Sequence, residues 1–301
     1  MILIVGATGL LGGEICRRLA AEGKAVRALV RPSADPARLE GLRGAGVAFT
    51  QGDLKEPSSL ESACRGVRTV ISTASSTFSR QAGDGISSVD EQGQLNLVEA
   101  ARASGVQHFI FISFPPMAED FALQRSKRAV EKRLVESGLE YTIWQPTFFT
   151  EVWLSPAIGF DFANATARIY GAGRNKISWI SYLDVAEFAV RAVENPAARN
   201  RTIPLGGPEA LSPLEVVGIF EEVGGRKFSV EHLPEEALRA QRAAAEDPLS
   251  ETFAGLMLSY AAGQVIDMRT TLESFPVRLA SVREYAERVR GAQAKRPPSS
   301  L

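Results

Sequence analysis

Seven residues near the start of the chain, Gly6-Ala7-Thr8-Gly9-Leu10-Leu11-Gly12, have the types and spacing to hold a pyrophosphate. They follow an apolar run, Met1-Ile2-Leu3-Ile4-Val5, that reads as a buried strand. They lead into a helical pattern with Leu11, Ile15 and Leu19 on one face and Glu14, Arg17, Arg18 and Glu22 on the other. Glycines at such a junction let the backbone turn tightly and approach a phosphate. The helix N-terminus behind them offers unpaired N–H groups and the positive end of its dipole. Strand, turn and helix in that order separate a dinucleotide site from an ordinary turn. A second strand, residues 25–30, ends in Arg31, where a site for NAD places an acidic residue against the ribose 2′-hydroxyl. A guanidinium there suits a 2′-phosphate, so the expected cofactor is NADP(H). The plainer alternative is a surface arginine that happens to follow a strand.

Further along, Ser113 directly follows a strand and Lys127 lies on the next helix, in a run with Arg125 and Arg128. Residues 146–149, Pro-Thr-Phe-Phe, close another strand; with Trp153 these aromatics either form an apolar platform or pack one part of the chain on another. Asp53, in Gly52-Asp53-Leu54, is open between a ligand contact and a turn or cap residue. Asp184 reads as a helix cap. The two histidines, His108 and His232, are too far apart in sequence for a metal cluster or a histidine triad, and no GxSxG elbow is present, so metal and hydrolase chemistry are not expected.

The elements that must position these groups alternate through the first half. Strands are expected at 1–5, 25–30, 47–51, 69–72, 109–112 and 141–144. Helices are expected near 37–44, 57–64, 89–104 and 121–137, with a Ser- and Gly-rich loop at 75–88. Strands joined by helical crossovers specify a parallel, doubly wound sheet, and ligands of such sheets bind beyond the strands' carboxyl ends. Past residue 146 the rhythm changes. Residues 177–180, 202–205 and 228–232 read as short strands, 184–194 and 213–223 as helices, and the chain from Pro234 as mainly helical. The expected fold is α/β: a doubly wound parallel Rossmann sheet over 1–150, to which 175–205 returns. A smaller, mainly helical C-terminal substrate lobe is expected over 151–174 and 206–294, and the Pro- and Ser-rich residues 295–301 form an expected disordered tail.

Composition narrows the partners. With 301 residues, 45% apolar and 23% charged, the chain reads as an ordinary globular protein. A formal net charge of −1 argues against a nucleic acid or anionic membrane as partner. No apolar run is long enough to span a bilayer, and the N-terminus opens directly into a strand, so a cytoplasmic protein is expected. Cys16 and Cys64 form no metal or redox spacing, and a reducing compartment fits them.

Taken together, Gly6-Ala7-Thr8-Gly9-x-x-Gly12, Val30-Arg31, Gly52-Asp53-Leu54, Lys127 and Tyr141-Thr142-Ile143 running into Pro146-Thr147-Phe148-Phe149 resemble the NmrA-like branch of the atypical short-chain dehydrogenase/reductases. That branch holds isoflavone-reductase-like enzymes, quinone reductases, redox-sensing regulators and photosystem-assembly proteins, so the resemblance speaks to fold and cofactor more than to reaction. It implies that Gly6, Thr8, Gly9, Leu10, Leu11 and Gly12 wrap the pyrophosphate, that Asp53 and Leu54 flank the adenine, and that Thr73, Ala74 and Ser75 line the nicotinamide ribose. It also implies that Pro146, Thr147, Phe148 and Phe149 lie against the nicotinamide. Typical members of the wider superfamily use a Ser, and a Tyr four residues before a Lys, to polarise a carbonyl and supply a proton. Here Leu123 stands at the tyrosine position, leaving Lys127 to hold the ribose and assist proton transfer, with Ser113 beside the cofactor. Two functions are therefore carried forward. One is an NADPH-dependent oxidoreductase acting on a small quinone, aromatic or enone-like substrate. The other is a non-catalytic NADP(H) sensor or assembly protein with a regulatory protein partner.

Overall fold

Four successive apolar residues with no polar alternation form β1 (Ile2–Val5), buried along its whole length, as a strand covered by helices on both faces must be. The computed structural model describes residues 1–79 and 81–294; the tail expected at 295–301 lies outside them. After β1 come α1 (Leu10–Ala21), β2 (Val26–Val30), α2 (Pro36–Gly44), β3 (Ala48–Gln51), α3 (Pro57–Cys64) and β4 (Thr69–Ser72). Then follow α4 (Gln94–Ala103), β5 (His108–Ile112), α5 (Ala122–Glu136), β6 (Glu140–Pro146), α6 (Thr150–Trp153), β7 (Phe160–Asp161) and β8 (Thr166–Tyr170). The rest comprises α7 (Tyr182–Ala192), β9 (Arg201–Leu205), α8 (Pro213–Gly224), β10 (Ser229–Leu233), α9 (Glu235–Ala243), α10 (Pro248–Ala262), α11 (Arg269–Ser274) and α12 (Val282–Ala294).

Seven strands pair in parallel in the order β3-β2-β1-β4-β5-β6-β9. The expected doubly wound sheet is thus present, and its strand order reverses between β1 and β4, where such sheets open a crevice. The period-two alternation of strands divides the core. Ile2 and Ile4 pack with Leu11, Ile15 and Leu19 of α1 and Val185 and Phe188 of α7. Leu3 and Val5 pack on the other face with Leu60 of α3, Leu97 and Val98 of α4, and Val130 and Leu134 of α5.

The structure departs from the expectation in three places. The C-terminal region is mainly helical but also holds a three-stranded sheet, β10-β8-β7, around an aromatic core that includes Phe160, Phe220 and Phe228. Residues 177–180 make isolated bridges and no continuous ladder: Ile177 pairs with Leu211 and Gln264, and Ile180 with Phe149. The helix expected from residue 89 begins earlier, as a wide π-helical segment, Ile86–Gly93, that runs into α4.

At the start of α7 the cap is Ser181, whose side chain accepts the Leu183 N–H, and Asp184 does not fill that role. Asp184 lies within the first turn, only 6% exposed, and accepts the Ala280 N–H at 2.8 Å. Burial pushes its carboxyl up to about 6, against the pull of that hydrogen bond. A folded-state value above the unfolded one means that the group's contribution is full below about pH 4 and is lost as pH rises through that value. Over this window the protein should lose roughly 2–3 kcal/mol relative to an Asp184→Asn variant, whose amide keeps the acceptor without the charge. Urea unfolding of both proteins at pH 4 and pH 7 measures the gap; a constant gap would mean that Asp184 ionises freely.

Candidate functional site

The carboxyl ends of β1, β2, β4, β5 and β6 open into one cavity of about 580 Å³, within the range that holds small ligands and cofactors. Its floor is the turn after β1. Gly6 sits at φ +88°, and a Cβ there would lie 2.6 Å from Thr73 Oγ1 and 2.8 Å from the Ala74 nitrogen. At Gly12 a Cβ would lie 2.3 Å from the Gly6 carbonyl oxygen. Both positions therefore exclude a side chain, and the turn, α1 and the end of β4 meet there backbone to backbone. Gly9 differs: a Cβ would meet only the Gly6 oxygen, at 3.2 Å, and Gly9 lines the cavity. The first hydrogen bond of α1 runs from the Gly13 N–H to the Gly9 carbonyl, so the N–H groups of Leu10 and Leu11 precede it. No acidic residue occupies that first turn. Backbone access, free donors and an unopposed helix dipole fit a pyrophosphate.

Of the residues expected to hold the cofactor or do chemistry, all line this cavity except Ala7 and Gly12. Ala7 is buried in the core beneath the turn, and Gly12 serves the close approach of α1. Thr73 turns its hydroxyl back to the Val5 carbonyl at 3.2 Å. Asp53 does two things at once: it lines the cavity, and its carboxylate accepts the Lys55 N–H at 2.9 Å, as a turn residue would. Arg31 lines the cavity, and its Nη1 donates to Asp84 Oδ2 at 2.5 Å.

Lys127 is 5% exposed, not on a solvated face. Its Nζ donates to the Ile112 carbonyl at 3.2 Å and lies 4.7 Å from the centre of the Phe111 ring. Burial lowers its pKa below a lysine's usual value, while Asp90 and Glu131 pull the other way and Arg128 adds to the lowering. Ser113 Oγ accepts from Arg128 Nη2 at 3.0 Å, and Arg128 pairs with Glu131 at 2.9 Å. Leu123, at the tyrosine position, lines the cavity and carries no polar group.

The opposite end of the cavity is walled by Phe114, Met117, Val152, Trp153 and, from α10, Phe253, Leu256 and Met257. Phe148 meets the Trp153 ring edge-on at 4.7 Å, and Trp153 stacks on Tyr260 at 5.6 Å. Phe148 both lines the cavity and packs into the C-terminal core, so the two readings of these aromatics coexist. Phe149 lines it while leaning on the sheet core.

Sequence reasoning missed Asp84, Asp90, Arg128 and the α10 residues. Asp90, fully buried in the π-helical segment, accepts the Ser76 N–H at 2.9 Å and the Ser76 hydroxyl at 2.6 Å through Oδ2. Its other oxygen has no hydrogen-bond partner among the described residues. Segments of this π-helical type gather at functional sites, a signal that the structure carries and the sequence does not. Burial pushes the Cys16 and Cys64 thiols up to about 12 and about 11, which makes both poor nucleophiles. Among the described residues no three His, Cys, Asp or Glu side chains converge to hold a metal ion, and no helix is long and apolar enough to cross a membrane.

A model of the NmrA-like family matches residues 1–285. The NAD(P)H azoreductase of Xenophilus azovorans is 34% identical over 230 residues, 75% of this chain and 74% of that one. The Photosystem II assembly factor Ycf39 of Synechocystis sp. is 32% identical over 246 residues, 80% and 73% of the two chains. An NADPH-dependent quinone oxidoreductase from Escherichia coli, crystallised with NADPH, superposes with a TM-score of 0.77 at 22% identity, over 96% of this chain and 100% of that one. That likeness shows a common fold.

The glycine geometry separates two effects. Gly12→Ala should cost about 1–3 kcal/mol, because the methyl group meets backbone that has no room to move. Gly9→Val should lower the melting temperature less than Gly12→Ala does and abolish nucleotide binding, since its side chain projects into the cavity. Thermal melts beside a nucleotide titration test both, and undiminished binding by Gly9→Val would place the nucleotide elsewhere.

Proposed function

The chain belongs to the NmrA-like family, and we propose that it is an NADPH-dependent oxidoreductase that reduces a small, flat quinone, aromatic or enone-like acceptor. One observation carries this reading: a single cavity joins the anion-ready turn after β1, a buried lysine at its middle and a ring-lined apolar end. The named activity of the Xenophilus relative supports it.

When bound, NADPH supplies a hydride from its nicotinamide ring. In this reading Gly6, Thr8, Gly9, Leu10 and Leu11 hold the pyrophosphate, Arg31 the 2′-phosphate, and Asp53 and Leu54 the adenine. Thr73, Ala74 and Ser75 line the nicotinamide ribose, while Pro146 and Thr147 wall the ring. Lys127 holds the ribose hydroxyls and keeps a proton at Nζ that it loses at a lower pH than a solvated lysine would. Phe148, Trp153, Phe253, Leu256 and Met257 orient a flat acceptor and exclude water. With Leu123 in place of a phenol, an acceptor whose oxygens need little acid help, such as a quinone, suits the site.

A second reading, a non-catalytic NADP(H)-binding sensor or assembly protein, is favoured by that same leucine and by the Synechocystis relative. NADPH consumption with a panel of quinones and enones, run beside an NADPH titration, decides between them: tight binding without turnover selects the second.

Three variants test the roles within the first reading. Arg31→Ala should remove most of any preference for NADPH over NADH, about tenfold to a hundredfold in affinity, the worth of one charge-assisted contact. Equal affinities in the unmodified protein would refute the role of Arg31. Lys127→Met should weaken NADPH binding and, if Lys127 moves a proton, cut turnover at saturating cofactor by roughly 10²-fold or more. Unchanged affinity and turnover would remove Lys127 from the site, and Ser113→Ala should have the smaller effect.

A further inference from the structure

Asp84 stands where the proposed 2′-phosphate contact is made, and nothing in the reading above uses it. Its carboxylate is 2% exposed yet lines the cavity. Oδ2 accepts from Arg31 Nη1 at 2.5 Å and from the Ser79 hydroxyl, while Oδ1 accepts from Lys55 Nζ. The two cations lie on different elements, Arg31 at the end of β2 and Lys55 after β3, and Asp84 is the anion that joins them. Lys55 also reaches Asp53, at 3.5 Å. Arg38, donating to the Thr8 carbonyl at 2.7 Å, completes this end of the cavity. Among the described residues, Arg31 and Lys55 face the carboxylates of Asp84 and Asp53, while Arg38 pairs with Asp35 at 3.8 Å. Burial pushes the Asp84 carboxyl up, but hydrogen bonds from Lys55, Ser79 and Arg31 outweigh it and hold the group below the usual aspartate value. It is an anion at neutral pH.

Resting on the cofactor reading above, we propose that Asp84 sets the balance between NADPH and NADH by competing with the 2′-phosphate for Arg31 and Lys55. A phosphomonoester brings a charge of about −1.5 to −2 and three strong acceptor oxygens, so it uses the same donors as the carboxylate and is repelled by it. A ribose diol brings no charge, leaves the Asp84 contacts in place and has hydroxyls able to donate to that carboxylate. Asp84 therefore tempers the selectivity that Arg31 confers and keeps NADH within reach of the site. Lys55 becomes a second specificity-determining cation, one that the spacing of residues around Arg31 does not reveal.

The test is a calorimetric titration of the full-length protein with 2′,5′-ADP, NADPH and NADH, repeated on Asp84→Asn and Lys55→Met, with thermal melts to establish folding. Asparagine keeps an acceptor for Arg31 and Lys55 but not the charge. Asp84→Asn should bind 2′,5′-ADP and NADPH about tenfold more tightly, the worth of one charge-assisted contact, while NADH affinity stays level or falls. Lys55→Met should weaken 2′,5′-ADP and NADPH and spare NADH. If Asp84→Asn instead binds 2′,5′-ADP more weakly, the carboxylate merely orients Arg31 and the proposal is overturned. It is overturned equally if NADPH and NADH affinities move together. Either result leaves the cofactor reading standing, whereas unmodified protein that binds none of the three ligands defeats both.

Discussion

The geometry of the cavity depends on a space too small for one methyl group. The turn after β1, the first turn of α1 and the end of β4 converge so closely that a Cβ at Gly12 would overlap the Gly6 carbonyl, and one at Gly6 would overlap Thr73 and Ala74. This contact presses the N-terminus of α1 against the point where the strand order reverses, and it fixes the wall formed by residues 73–75. Thr73 reinforces it by spending its hydroxyl on the Val5 carbonyl. A looser turn would still allow a parallel sheet, but the helix donors would stand back from the crevice and no backbone surface would be left for an anion. The glycines thus act first through packing, and the anion-ready surface follows from it.

From that floor the cavity changes character along its length. One end carries arginines, a lysine and carboxylates in direct contact; the other carries rings and methionines. The transition falls at α5, whose Lys127 faces inward, and the apolar wall is tied to that helix. Gly255 of α10 lets Phe121, which precedes α5, approach so closely that a Cβ would lie 2.5 Å from its ring. Thr252 Oγ1 accepts the Leu123 N–H, and Glu251 pairs with Arg125 at 2.9 Å. Phe253, Leu256 and Met257 are therefore held by the same helix that carries the lysine. A change in how α10 packs would alter the ring-lined end and the surroundings of Lys127 together.

What was legible in the sequence follows from the range of the signals. The β1–turn–α1 unit is local, and its glycines, apolar run and helical stripe all lie within about two dozen residues, so it could be read directly. Buried parallel strands announce themselves as unbroken apolar runs, and those of the first half were found. The short strands of the second sheet carry no such run: β8 alternates and β10 is half exposed, so their pairing depends on neighbours distant in the chain. Residues 177–180 misled for the opposite reason, being apolar because they are buried between other segments without a strand partner along their length. Lys127 was picked out by its place in the family pattern, but its burial was not, since a single helical turn does not reveal which face is covered by α10 and β5. Asp84 and Asp90 were missed because each acts through partners far away in sequence, Arg31 and Lys55 in one case and Ser76 in the other.

The loss of a phenol at Leu123 does not leave the middle of the cavity without donors. A lysine ammonium has three N–H groups, and Lys127 directs one of them to the Ile112 carbonyl while the Phe111 ring takes up part of its charge. Its remaining donors are available to a ligand. Ser113 complements this arrangement. Because its oxygen accepts from Arg128, its own proton is free to point elsewhere, and Arg128, paired with Glu131, makes that hydroxyl a better donor by drawing on its lone pair. In the proposed reading, a serine polarised by a half-buried arginine and a lysine of lowered pKa together orient a carbonyl oxygen and a ribose. Under the proposed function, the acceptors that such a pair would serve are those whose reduction puts charge on an oxygen already stabilised by its own ring, and the aromatic wall beside them suits that kind of molecule.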